Sequence, residues 1–91
     1  MIVTKIEEKE PPSKELCWFR VTVVGQGNES KEKVFREGAR IRNVLYRLQA
    51  WGFRVKHGLP VRGEVPYYFF IVECPLDKKE VTRRKIREIA D

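Results

Sequence analysis

The chain has 91 residues, enough for one domain with a single modest core, and carries 19 Lys and Arg against 13 Asp and Glu, a formal net charge of +6. A hydrophobic fraction of 42% beside a charged fraction of 35% argues against a disordered chain. The longest apolar run, the aromatic stretch from Tyr67, is far too short for a membrane-spanning helix, and the start Met1-Ile2-Val3-Thr4-Lys5-Ile6-Glu7 lacks the pattern of a secretion signal. A soluble, cytoplasmic protein is expected, and the scarcity of Asn and Gln beside so many Lys, Arg and Glu leans toward a thermophile source.

In chain order, residues 1–8 alternate apolar and polar as a strand. Residues 8–15, with Pro11-Pro12 inside, read as a loop. Residues 16–24, rich in β-branched and aromatic side chains, form a second strand that Gly25-Gln26-Gly27-Asn28 ends. A helix follows, capped by Asn28 or Ser30 and closed by Gly52. Its buried face is Val34, Gly38, Ile41, Leu45 and Leu48, at spacings of three and four, widened by Phe35 and Val44. Residues 53–57 alternate as a third strand with Phe53, Val55 and His57 inward, and residues 58–64 connect it to the next. The fourth strand is the run Tyr67-Tyr68-Phe69-Phe70-Ile71-Val72-Glu73-Cys74. In the last segment Asp77 and Glu80 form a capping box and Leu76 with Val81 a hydrophobic staple. The helix that follows turns Val81, Ile86, Ile89 and Ala90 inward.

The order ββαββα within one domain of 91 residues implies an α+β two-layer sandwich, a permuted ferredoxin-like fold. The first strand takes the sheet position that a closing strand fills in the unpermuted order. Right-handed crossover then gives a four-stranded antiparallel sheet in the spatial order first, second, fourth, third, with two helices on one face. The other face is left uncovered. Strand alternation assigns Cys17, Phe19, Val21 and Val23 to the helices, with Tyr68, Phe70, Val72 and Cys74. It sends Trp18, Arg20, Thr22 and Val24 to the open face, with Arg54, Lys56, Tyr67, Phe69, Ile71 and Glu73.

Two features point toward a polyanion. Between Arg36 and Arg62 lie seven basic residues and one acid, Glu37, so the whole charge excess sits in the middle third. The open face interleaves Trp18, Tyr67 and Phe69 with Arg20, Arg54 and Lys56, rings for stacking beside cations for phosphates. On the first helix Arg36, Arg40, Asn43 and Arg47 recur at helical spacing away from the buried stripe, a row suited to backbone contact. Arg42 and Arg62 complete the basic set. The expectation is a small non-catalytic binder of nucleic acid, RNA or DNA. RNA recognition motifs bind single strands through sheet aromatics on a related topology, but here Glu64-Val65-Pro66 separates Arg62-Gly63 from the rings, so their motif is out of register. The alternative is a homodimer that buries Trp18, Tyr67 and Phe69 against a second copy.

Chemistry finds little footing. Gly25-Gln26-Gly27 is similar to a phosphate-binding turn, but Ser30 stands where a dinucleotide fingerprint needs its third Gly. Cys17 and Cys74 are too few for a zinc site, although antiparallel pairing brings them close as two thiols or a disulfide. His57 lacks an identifiable catalytic partner. No cofactor and no metal are expected.

Overall fold

The computed structural model describes residues 1–48 and 50–91. Its elements are β1 (Ile2–Lys9), β2 (Leu16–Gly25), α1 (Lys31–Leu48), β3 (Arg54–Val55), β4 (Leu59–Val61), β5 (Tyr67–Pro75) and α2 (Lys79–Ala90). Short 3-10 turns at Ala50–Gly52 and Leu76–Lys78 precede β3 and α2. The sheet runs β1-β2-β5-β3, with β4 pairing beside β3 on the same side of β5, and every described pairing is antiparallel. This is a two-layer α+β fold with both helices on one face, consistent with the permuted ferredoxin-like topology. β2 and β3 run parallel to each other, and β5 is inserted between them.

The core is made where alternation placed it. Phe19, Val21, Val23, Phe70, Val72 and Cys74 are buried on the helix side of β2 and β5, and they meet Val34, Ile41 and Leu45 of α1 and Ile86 of α2. Burying each large side chain stabilises by about 1.5–3 kcal/mol. Tyr68 belongs to the same face and is fitted by two glycines. A Cβ on Gly38 would stand 2.6 Å from Cβ, Cγ and Cδ1 of Tyr68, and one on Gly58 would strike the phenol end of the same ring. The ring therefore lies in a notch that side chains at those two positions would close.

Local signals account for most boundaries. Ser30 caps α1, its hydroxyl accepting from the Lys33 amide at 3.2 Å. After α1, Gly52 and Trp51 take positive φ (78° and 39°) and turn the chain into β3. The Trp51 indole donates to Thr82 Oγ1 at 2.8 Å, which satisfies the one buried polar side chain of α2 and ties this turn to that helix.

Several expectations are corrected. The third strand is only Arg54–Val55, because Lys56 leaves the ladder after one bond, its amide to the Ile71 carbonyl at 2.8 Å. His57 is accordingly exposed rather than inward. Residues 59–61, read as part of a connection, form β4 against Tyr67–Phe69. Pro60 masks the alternation, and an edge strand tolerates it. Leu48 lies on the exposed side of α1, and the helix does not run on to Gly52 as expected; Gln49 lies outside the described residues. The capping box of α2 does not form. Asp77 sits inside the 3-10 turn, Lys78 occupies the N-cap without a side-chain bond, and Glu80 pairs with Arg83 instead. Leu76 is exposed, and Thr82 and Ile86 are the buried residues of α2, with Val81, Ile89 and Ala90 half-buried.

Candidate nucleic-acid interface

The open face is a grid of cross-strand rows. Register places Lys9, Trp18, Glu73 and Arg54 in one row, Glu7, Arg20 and Ile71 in the next, then Lys5, Thr22, Phe69 and Leu59, then Val3, Val24, Tyr67 and Val61. The rings and cations expected on this face are therefore brought together. They are also in contact. The Arg20 guanidinium lies 4.5 Å from the Phe69 centroid, and Lys56 Nζ lies 5.8 Å from that of Trp18. Tyr67 and Phe69 stand 6.2 Å apart, centroid to centroid. Trp18 is held by Glu73, whose Oε2 accepts from the indole nitrogen at 2.6 Å. That carboxylate, the acid of the central strands, thus serves to orient a ring. Arg20, pressed on Phe69, has its Nε enclosed without a hydrogen-bond partner among the described residues. Beside it a shallow depression of about 260 Å³ is lined by Lys5, Glu7, Arg20, Thr22, Val24 and Tyr67.

The remaining basic residues divide between two places. Arg42, outside the α1 row, reaches the sheet edge, donating from Nε to the Lys56 carbonyl at 3.2 Å and lying 5.5 Å from the Tyr46 centroid. Arg62 lies 5.3 Å from the Phe35 centroid, on the same flank of α1. The row expected on α1 is less free than its spacing implied. Arg40 bonds to Glu37 and to the Ile89 carbonyl of α2, and the Glu37 carboxylate holds its guanidinium above the usual pKa. Arg36, Asn43 and Arg47 are exposed, with Asn43 Oδ1 accepting from Arg42 at 3.2 Å. Residues that the sequence did not single out are Tyr46 and Leu59, while Phe35, expected to widen the buried stripe of α1, packs partly buried against the core. Tyr46 and Leu59 carry no motif, and their places follow from α1 packing beside β3 and from β4 pairing with β5.

The opposite edge is internally neutralised. Glu8 of β1 bridges to Lys79 at 2.9 Å and also to Arg83. The hydrogen bond from Lys79 and the two positive charges lower the Glu8 carboxyl from its usual pKa, and Glu8 raises Lys79 in turn. Cys17 and Cys74 face each other in register, buried and unbonded. Burial, then the neighbouring Cys74, pushes the Cys17 thiol up. Among the described residues no three His, Cys, Asp or Glu side chains gather as metal ligands would, and no helix is long and apolar enough to cross a membrane.

The fold and this surface together define a two-layer α+β domain with an uncovered aromatic and basic sheet face. Comparison with known proteins finds no matching family model, no matching curated relative and no matching solved structure.

Proposed function

We propose that the chain is a non-catalytic nucleic-acid-binding protein whose primary surface is the open sheet face. The observation that carries this reading is the pairing of Arg20 with Phe69 and of Lys56 with Trp18, with Arg54 in the Trp18 row. Base-on-ring stacking contributes about 1–3 kcal/mol each. Arg20 and Lys56 lie over the rings, so a base stacks on the Arg20 guanidinium plane or takes a cation's place while that cation turns to the phosphate. Arg36 and Arg47 on α1 add long-range attraction, whereas Arg40 is committed to Glu37 and α2. The test is binding of a mixed pool of labelled RNA and DNA oligonucleotides at low salt. Affinity should fall steeply as salt rises, and an Arg20→Ala/Lys56→Ala variant should lose most of it. Absence of measurable binding at low salt would end the proposal.

A second reading, a homodimer through the same face, is favoured by its apolar end, where Val3, Val24, Tyr67 and Val61 share a row beside Phe69 and the exposed Leu59. Sedimentation of the wild type and of Phe69→Lys decides it. A dimer that the lysine dissociates supports this reading, and a monomer in both removes it.

A further inference from the structure

We infer that the ligand is a single strand, and that it leaves the sheet over the β3/β4 edge into the groove between α1 and β3, where Tyr46 and Arg42 receive it. This rests on the reading of the sheet face as a nucleic-acid surface.

The spacing of the rings selects a single strand. Rows along a strand are roughly 7 Å apart, because side chains on one face recur every second residue. Tyr67 and Phe69, two residues apart on β5, have centroids separated by 6.2 Å. Nucleotides in a duplex rise by about 3.4 Å. Bases that engage successive rows are therefore splayed to about twice the stacked spacing, which pairing to a complementary strand forbids. A duplex also hides the base faces that rings need.

The exit follows from where ring and cation pairs recur. After Arg20 with Phe69 and Lys56 with Trp18 on the open face, two pairs recur on the flank of α1, Arg62 with Phe35 and, tied to Lys56, Arg42 with Tyr46. The Arg42 bond to the Lys56 carbonyl fixes that pair directly behind Lys56. On the other side of Tyr46 from this bond, α1 and β3 enclose a groove of about 450 Å³ lined by Leu45, Tyr46, Gly52, Phe53, Arg54 and Val55. Arg54 belongs both to this groove and to the Trp18 row, so it bridges the two surfaces. Charge along the path is mainly positive: Glu37 is turned to Arg40 on the α2 side, Glu64 lies mid-turn between β4 and β5, and Glu73, the acid of the Trp18 row, has Arg54 beside it in register. The edge does not suit an added peptide strand, since β3 has two residues and β4 has three, one of them Pro60 without an amide hydrogen.

The test uses labelled oligo-uridylate and oligo-thymidylate of about four and about ten nucleotides, within the range one such surface spans, together with a duplex of the longer length. Fluorescence anisotropy should show the longer single strand bound at least tenfold tighter than the duplex. With Arg20, Arg54, Lys56 and Arg42 as phosphate contacts, its log affinity should fall with log salt at a slope of about −3. Trp18→Leu should weaken both lengths roughly tenfold or more. Tyr46→Ala, at a side chain already 51% exposed, should weaken the longer strand several-fold and leave the shorter one unchanged. Arg42→Ala should do the same, and Arg84→Ala on the exposed face of α2 should do neither. A duplex bound as tightly as the single strand overturns the strand assignment and leaves the nucleic-acid reading standing. Undiminished binding of the longer strand by Tyr46→Ala and Arg42→Ala overturns the path. Failure of every oligonucleotide to bind removes the underlying reading as well.

Discussion

Replacing Gly38 by alanine should destabilise the protein even though alanine is the better helix former. On propensity alone the change favours α1 by about 1 kcal/mol. Against this, the new Cβ would stand 2.6 Å from three atoms of Tyr68, where carbons rest at about 3.5–4.0 Å. The atoms struck are Cβ, Cγ and Cδ1, the part of the side chain nearest the backbone, so no rotamer change removes the clash. β5 cannot retreat either, because β2 flanks it on one side and β3 with β4 on the other. Overpacking of this kind costs about 1–3 kcal/mol, and a clash that must be relieved by moving a helix off a sheet by about 1 Å belongs at the upper end. The net destabilisation is then about 2 kcal/mol, a drop in melting temperature of roughly 8–16 °C for a domain of this size. Thermal unfolding followed by circular dichroism measures it, with Gly63→Ala as the neutral control, since a Cβ there meets nothing within 4 Å. A Gly38→Ala variant as stable as the wild type would refute the notch around Tyr68.

Two further predictions concern titratable groups. Glu8 has a lowered folded pKa, so its pairing with Lys79 and Arg83 stabilises above the unfolded value and is lost as pH falls through the folded one. Glu8→Gln should therefore melt below the wild type at neutral pH, and the difference should close as pH drops below the usual carboxylate range near about 4; a gap constant across pH would contradict the pairing. Cys17 and Cys74 are buried and the Cys17 thiol is pushed up, so both should react slowly with a thiol-specific disulfide reagent at neutral pH and promptly in denaturant. Prompt labelling of the folded protein would contradict their placement.

The aromatic run shows what was legible in the sequence. Alternation alone separates Tyr68 and Phe70 from Tyr67 and Phe69, and pairing with the strongly patterned β2 fixes which pair faces the helices. The fold was legible for the same reason, since β2, α1 and β5 each carry a long periodic signal. The misses fall where the chain has too few residues to express a period. β3 has two residues and β4 three, and Pro60 reads as a breaker although an edge position permits it. The α2 cap failed because a local motif lost to a tertiary demand: the amide of Leu76 bonds to the Glu15 carbonyl at 2.9 Å, and a 3-10 turn joins β5 to the helix. The Arg row on α1 was legible as spacing alone. Spacing could not show that Arg40 meets α2 or that Arg42 reaches β3, because those partners are remote in sequence.

Most of the charge concentrated in residues 36–62 stays together on folding, Arg40, which turns to α2, excepted. β3 and β4 pair with the outer side of β5, and the flank of α1 that carries Arg42 adjoins them through the Lys56 carbonyl. Charge that is local in sequence thereby becomes local in space, and it adjoins the aromatic face through Arg54 and Lys56. This weighs on the choice of partner. A second copy docked face to face would bring two sets of Arg20, Arg54 and Lys56 into one interface, and like charges there disfavour it unless intervening acids compensate. Glu7 and Glu73 share the face with Lys5, Lys9, Arg20, Arg54 and Lys56, so the two carboxylates offset only part of that charge. A ligand that presents flat apolar rings and negative charge together complements the rings and the excess of cations on the face. An unpaired nucleic-acid strand has that chemistry along its whole length.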